Sequence, residues 1–464
     1  MDQLLHFVQT LNLYLSDYIL MFLLIGTGIF FTIRTRFVQI RCFGEGMKQV
    51  FGNFSLKGKQ HESGLSSFQA LTAAVAAQVG TGNLVGACGA ILIGGPGAIF
   101  WMWIIAFFGM ATIYAEAVLA QKTRQVSEDG TISGGPVCYI KQAFKGVFGK
   151  ILAGFFAVAA VIALGFAGSM VQSNSISSAC SSAFGIPTWI IGGIVAALAA
   201  FIFIGGVKRL GTVTEKMVPI MAILYIIGCL IVICARIRYI PETFGMIFRY
   251  AFAPQAIIGG SIGFALKQAI SQGAKRGLFS NEAGMGSTPH AHAMANVKTP
   301  HQQGVVAMIG VFIDTFVVLT LTAVVVISTL YAGNGVLADG SAAGVDKSNM
   351  VQLAFSSVFG DRAGSGFVAI CLLFFAFSTI ISWNLFGRIN MTYLFGKRSD
   401  LIYSLIATVF VFLGSVLSND LVWELTDAFN QLMVIPNVIA IVALSGLVVQ
   451  SARRPKENKL PQHQ

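Results

Sequence analysis

The sequence alternates long apolar runs with short joints that are basic, aromatic or rich in glycine. A helix that crosses a hydrocarbon layer of about 30 Å needs about 20 predominantly apolar residues. Eleven stretches qualify as spans: 17–34, 66–93, 97–121, 150–173, 188–206, 217–235, 256–284, 303–331, 366–393, 400–417 and 422–449. The N-terminus lacks the basic start and small-residue cleavage site of a secretory signal, so 17–34 reads as a retained helix. The pattern predicts an all-α polytopic membrane protein.

The joints carry their own pattern. Residues 36–62 are basic and punctuated by Phe37, Ile40, Phe43, Met47, Val50, Phe51 and Phe54, which predicts a segment lying along the headgroup surface. Residues 236–255 mix aromatics with arginines and predict an interfacial helix or lid. The serine-rich stretch 173–185 reads as an external loop, and 332–365 as a plain solvated loop. The chain does not divide into soluble domains. Its expected parts are 1–62, 63–235, 236–449 and a tail at 450–464, with a five-helix unit in each of the two middle parts.

Composition supports the class. Of 464 residues, 55% are hydrophobic and 11% charged, whereas a soluble domain carries about 25% charged residues. So few charges could not solvate the surface of a chain this long, and lipid must cover much of it. The net charge of +11 follows topology and does not point to nucleic acid. With the C-terminal tail placed in the cytoplasm, 25 Lys and Arg fall on that side. The other side receives 5, namely Arg236, Arg238, Arg249, Lys347 and Arg362. The cytoplasmic set includes Lys267, Lys275, Arg276 and Lys298. An external N-terminus, an internal C-terminus and a bacterial-type cell membrane are the expectation. The seven cysteines are scattered as apolar packing residues, and His290 and His292 make no helical metal face. No metal cluster, catalytic pair or nucleotide-binding loop is expected, and no protein partner besides lipid.

Transport chemistry is expected where helices break, because unwound backbone at membrane depth survives only against protein or a cavity. The second span centres on Gly80-Thr81-Gly82-Asn83. Two glycines there weaken the helix by about 2 kcal/mol against alanines. Backbone N–H groups of Thr81 and Gly82 then open the second half-helix, a place for a carboxylate. Carbonyls of the first half, from Ala76 to Val79, become free for a cation. The bland alternative is close packing of small residues.

The seventh span carries Lys267, Lys275 and Arg276 before SNEAGMGS (280–287), which itself holds Glu282, so it either ends at the inner interface or is discontinuous and faces water. Its distance of five spans from the first break suits two repeats of five helices after one extra N-terminal helix. In the ninth span, FFAFSTIISWNLFG (374–387) lines up Ser378, Thr379 and Ser382 beside Trp383 and Asn384. Hydroxyls are neutral oxygen donors for sodium, unless they bond only to their own helix. Glu116 and Asp314 are intramembrane carboxylates and candidate proton carriers. Glu116 reads more readily as structural, reaching the inner interface or a basic neighbour. No span places an arginine near its middle.

The run GGPGAIFWMWIIAFFG (94–109), the GTGN break (80–83), RLGTVTEKMVP (209–219) and SNEAGMGS (280–287) resemble the alanine or glycine:cation symporter family, the sodium–alanine symporters. On its own the first run needs only a Gly-Pro hairpin and an aromatic belt of Trp101 and Trp103. The resemblance implies a leucine-transporter (LeuT) type fold of two inverted five-helix repeats. It implies sodium-coupled symport of a small neutral amino acid, alanine or glycine, with glutamine or another neutral amino acid as the alternative. Thr81, Gly82 and Asn83 would surround the substrate at the break, with Trp383 as a wall. Ala76 and Val79 carbonyls with Ser378 and Thr379 would hold sodium, and the Gln78 amide would stand where the fold can host a second sodium. Proton coupling is the runner-up. A channel, which wants repeated pore elements, and a membrane enzyme are the readings from other classes.

Overall fold

The computed structural model describes residues 2–52, 65–126, 132–253, 262–338 and 344–453. The chain enters as α1 (2–34), helical well before the apolar run at 17 and π-helical at Leu15–Leu20. The basic joint then folds into the amphipathic α2 (Phe43–Phe51), which buries Gly46 and Val50. The rest of the predicted surface segment, from 53 on, lies outside the described residues.

Ser66 and Gln69 form a capping box that starts α3 (Ser67–Gln78). Val79 leaves the helix at ψ 86, and α4 (Gly82–Gly94) resumes after a bend of 44°. Gly95, at φ 73, turns the chain into α5 (Ala98–Thr123), a left-handed conformation that glycine takes without strain. A short hairpin of Gln125–Val126 with Ile132–Ser133 leads to α6 (Pro136–Ala143).

Helix α7 (Gly146–Phe184) runs unbroken through the serine-rich stretch, which is therefore not an external loop. Ser173, Asn174, Ser175 and Ser177 are buried. Gly414 of a neighbouring helix lets α7 approach closely: a Cβ there would lie 2.5 Å from Met170 backbone. Asn174 donates to the Gly414 carbonyl at 2.8 Å, so its polarity is satisfied inside the bundle. Next come α8 (Thr188–Ile204) and α9 (Gly206–Ala235), which begins before the apolar run at 217.

The aromatic joint at 236–255 is helical as expected, over Ile240–Phe252. Helix α10 (Ile240–Phe252) lies on α5, with Trp101 Nε1 donating to the Ala251 carbonyl at 3.0 Å. Helix α11 (Ile262–Asn281) ends in an irregular stretch before α12 (Pro289–Ala293) and α13 (Pro300–Leu330), whose π-helical turn holds Asp314. The stretch read as a plain loop contains α14 (Met350–Phe359). Met350, Val351, Ala354 and Phe355 are buried there because their spacing gives the helix one apolar face. The chain closes with α15 (Asp361–Phe395), α16 (Ser399–Val416), α17 (Asn419–Ala443) and α18 (Ser445–Arg453).

Helical segments stand at all eleven predicted spans. Among the described residues, seven helices pass as membrane-spanning by length and apolarity, or eight with the bent α3–α4 pair. Apolar side chains such as Ile194, Phe201, Ile220, Ile227, Leu401 and Val409 face outward from α8, α9 and α16, as lipid contact requires. Leu65–Ser66 pairs in parallel with Ala295–Asn296, fastening the start of α3 to the end of α12. This seats the two interrupted helices together.

Candidate functional site

The first break brings α3 against α15. Thr379 Oγ1 lies 2.9 Å from the Ala76 carbonyl and 3.1 Å from its own Phe375 carbonyl. Ser378 Oγ lies 2.8 Å from the same Phe375 carbonyl and 3.4 Å from that of Ala76. Two hydroxyls carry two hydrogens among four clustered oxygens, so the cluster is rich in lone pairs, the condition for a hard cation. Val79 is the turned residue next to Gly80. A Cβ on Gly80 would sit 2.4 Å from Thr379 Oγ1, so only glycine allows this approach. Of the residues expected to hold sodium, Ala76, Ser378 and Thr379 come together here, and Val79 lies at the turn.

The amides are arranged differently from the expectation. Thr81 N–H donates to Gln172 Oε1 of α7 at 3.2 Å, and Gly80 N–H to Asn83 Oδ1 at 3.1 Å. Gln172 therefore occupies the place foreseen for a substrate carboxylate at Thr81. Thr81 Oγ1, Ser173 Oγ, Ser177 Oγ and Ser382 Oγ are buried without a hydrogen-bond partner. At Gly82, an added Cβ would meet Ser280 Cα at 3.0 Å and Phe279 at 3.1 Å. Gln78 Nε2 donates to the Asn281 carbonyl at 2.7 Å, so its amide joins the two breaks.

The second break is irregular by necessity. Glu282 takes φ 57, Gly284 φ 92 and Gly286 φ 83, conformations that cost a side-chain-bearing residue free energy. Trp383 Nε1 donates to Glu282 Oε1 at 2.6 Å, and Ser287 donates to the other oxygen. Trp383 also packs edge-on to Phe279. Asp314 accepts from Asn83 Nδ2 at 2.7 Å and from Ser280 Oγ at 2.9 Å, tying the first break to the second. Glu116 neither reaches the interface nor meets a basic residue. It accepts from Gly284 N–H at 3.0 Å and from Asn437 Nδ2 at 2.6 Å, because the open backbone of the break needs an acceptor. Gln172, Ser280, Asn281, Glu282 and Asn437 were not foreseen as site residues. The SNEAGMGS run was the only signal for three of them.

The two ends of the site differ. On one side, Asp427 pairs with Lys275 at 2.9 Å and Arg276 at 3.1 Å. The Arg276 guanidinium and the Lys347 ammonium both lie over the Trp423 ring. A pocket of about 10 Å³ lies there, among Leu278, Phe279, Asp427 and Asn430. On the other side a cavity of about 430 Å³ runs from Gln125, Lys141 and Lys397 to His290, Leu385 and Asn390. Helix α11 is thus discontinuous, with its basic residues on the face that carries Lys347. Arg276 also stands within two turns of the break, where no arginine was expected; its partner Asp427 makes that burial tolerable.

The chain matches the sodium:alanine symporter family over residues 1–463. It belongs to that family. It is 40% identical to the sodium/alanine symporter AgcS of Methanococcus maripaludis, over 96% of each chain. It is 43% identical to a putative sodium/proton-dependent alanine carrier of Bacillus subtilis, over 98% of this chain and 93% of the relative. The solved structure of MhsT with L-phenylalanine aligns with TM-score 0.59 at 16% identity, covering 85% of this chain and 97% of that one. That likeness confirms the LeuT-type fold. The chain is therefore a multi-pass membrane amino-acid:cation symporter and not an enzyme.

Proposed function

We propose that this symporter carries a small neutral amino acid, alanine or glycine, into the cell with sodium, by alternating access around the first break. The carrying observation is the convergence of Ser378 and Thr379 hydroxyls on the Ala76 carbonyl beside Gly80. Sodium bound there would pin α3 to α15. The substrate carboxylate would displace Gln172 from the Thr81 amide and share the Gly82 amide, with Asn83 and Gln78 lining the site and Trp383 closing it. The ion pairs of Asp427 shut the outer mouth while the inner cavity stands open, which fits a state that releases inward. Eleven crossings, an external N-terminus and a cytoplasmic C-terminus complete the reading, with 63–235 and 236–449 holding the two five-helix repeats. Uptake of labelled alanine, glycine and glutamine into proteoliposomes tests it. Alanine or glycine uptake should require an inward sodium gradient, and glutamine should compete weakly.

Proton coupling is the second reading, favoured by a specific observation. Glu116, Glu282 and Asp314 are buried at the breaks, bonded to amides, hydroxyls and an indole. Uptake driven equally by a proton gradient without sodium would establish that reading and remove the first.

A further inference from the structure

Cys42, Glu45 and His301 are far apart in sequence, yet one donor atom from each lies within 4.8 Å of the other two. Cys42 immediately precedes α2, Glu45 is in its first turn, and His301 is the second residue of α13. Glu45 Oε2 is 3.3 Å from His301 Nε2, and Tyr114 Oη of α5 is 2.7 Å from His301 Nδ1. Cys42 and His301 are buried, while Glu45 reaches solvent. The seat is close: a Cβ on Gly46 would meet Ile309 at 2.7 Å. The neighbouring Arg41 guanidinium donates to the Thr35 and Ala452 carbonyls.

We propose that Cys42, Glu45 and His301 form a binding site for a zinc-type divalent cation, which fastens the surface helix α2 to α13. Thiolate, imidazole and carboxylate are the donor types such an ion takes. Tyr114 engages the other imidazole nitrogen and so orients Nε2, the usual device behind a metal-bound histidine. Bond lengths of about 2.0–2.3 Å put tetrahedral donors about 3.5 Å apart. The Glu45–His301 pair is already at that distance, and the thiol, within 4.8 Å of both, need close by no more than about 1.3 Å. Solvent beside Glu45 supplies the fourth ligand. A plain Glu45–His301 pair is the competing account, and it gives Cys42 no role.

Untagged full-length protein, stripped with chelator and dialysed against buffered zinc, tests the site by counting metal per chain. The parent should hold one zinc, Cys42→Ser should bind about 10–100-fold more weakly, and Glu45→Gln about tenfold more weakly. Cobalt in place of zinc should give a thiolate charge-transfer band in the parent that Cys42→Ser lacks. Amino-acid uptake by Cys42→Ser in metal-free buffer should equal the parent's, showing an intact fold. Equal zinc affinity in parent and Cys42→Ser, or a cobalt-loaded parent without the band, would overturn the assignment.

Discussion

The two interrupted helices are built from different material. At the first break, Gly80 to Asn83, every side chain is neutral, and the backbone is held by Gln172, Asn83 and Thr379. At the second, Asn281 to Thr288, carboxylates do the holding, Glu282 within it and Glu116 on Gly284, while Asp314 bridges the two through Asn83 and Ser280. The difference teaches which break is free to change partners. Amide groups and a helix dipole attract an anion without leaving a fixed charge when the site empties. Neutral side chains that hold the first break can exchange for sodium and a carboxylate at small cost. A buried carboxylate already satisfied by its neighbours cannot leave them cheaply. On the proposed reading, the first break binds and the second supplies a frame.

The largest expected effect is at Gly80. Gly80→Ala places a Cβ against Thr379 Oγ1 and should abolish sodium-dependent uptake. Gly86→Ala, whose new Cβ meets nothing nearer than 3.8 Å, should leave uptake near the parent's. Next, Gly82→Ala should lose most alanine binding to purified, folded protein, because the Cβ crowds Ser280 and Phe279 and favours helix across the break. Parent-like binding would make the break a packing feature and displace the site. Third, Thr379→Val should raise the sodium needed for uptake about 10–100-fold, the equivalent of roughly 1.5–3 kcal/mol for a bond to a charged group. An unchanged sodium dependence would remove Thr379 from the ion site.

Smaller effects sharpen the contrast. Glu282→Gln keeps an acceptor for Trp383 and a partner for Ser287, so it should change sodium-driven uptake by less than about threefold, within about 0.7 kcal/mol. Loss of proton-driven uptake in that variant would instead give the second break the coupling role. Smallest of all, Thr81→Ala keeps its N–H and removes only an unpartnered hydroxyl. Its substrate affinity should stay within about twofold of the parent, against about 1 kcal/mol for an ordinary lost hydrogen bond.

The sequence by itself determined the class, the positions of the helices and the first break. Apolar length is dictated by membrane thickness, and paired glycines at 80 and 82 are a local signal of a weak helix. Ser378 and Thr379 were legible as a hydroxyl pair facing one way. The tertiary structure decided everything that depends on which helices meet. Gln172 at the Thr81 amide, Asn437 and Glu116 on Gly284, and Arg276 on Asp427 join residues far apart in the chain. Cys42 and His301 look like scattered packing residues until α2 docks on α13. The serine-rich stretch misled for the same reason: a run of small hydroxyls reads as a loop, and only close contact with α16 shows why it is a buried helix. Local backbone preference is written residue by residue, but whether a buried polar group is satisfied depends on its partner, and the partner comes from the fold.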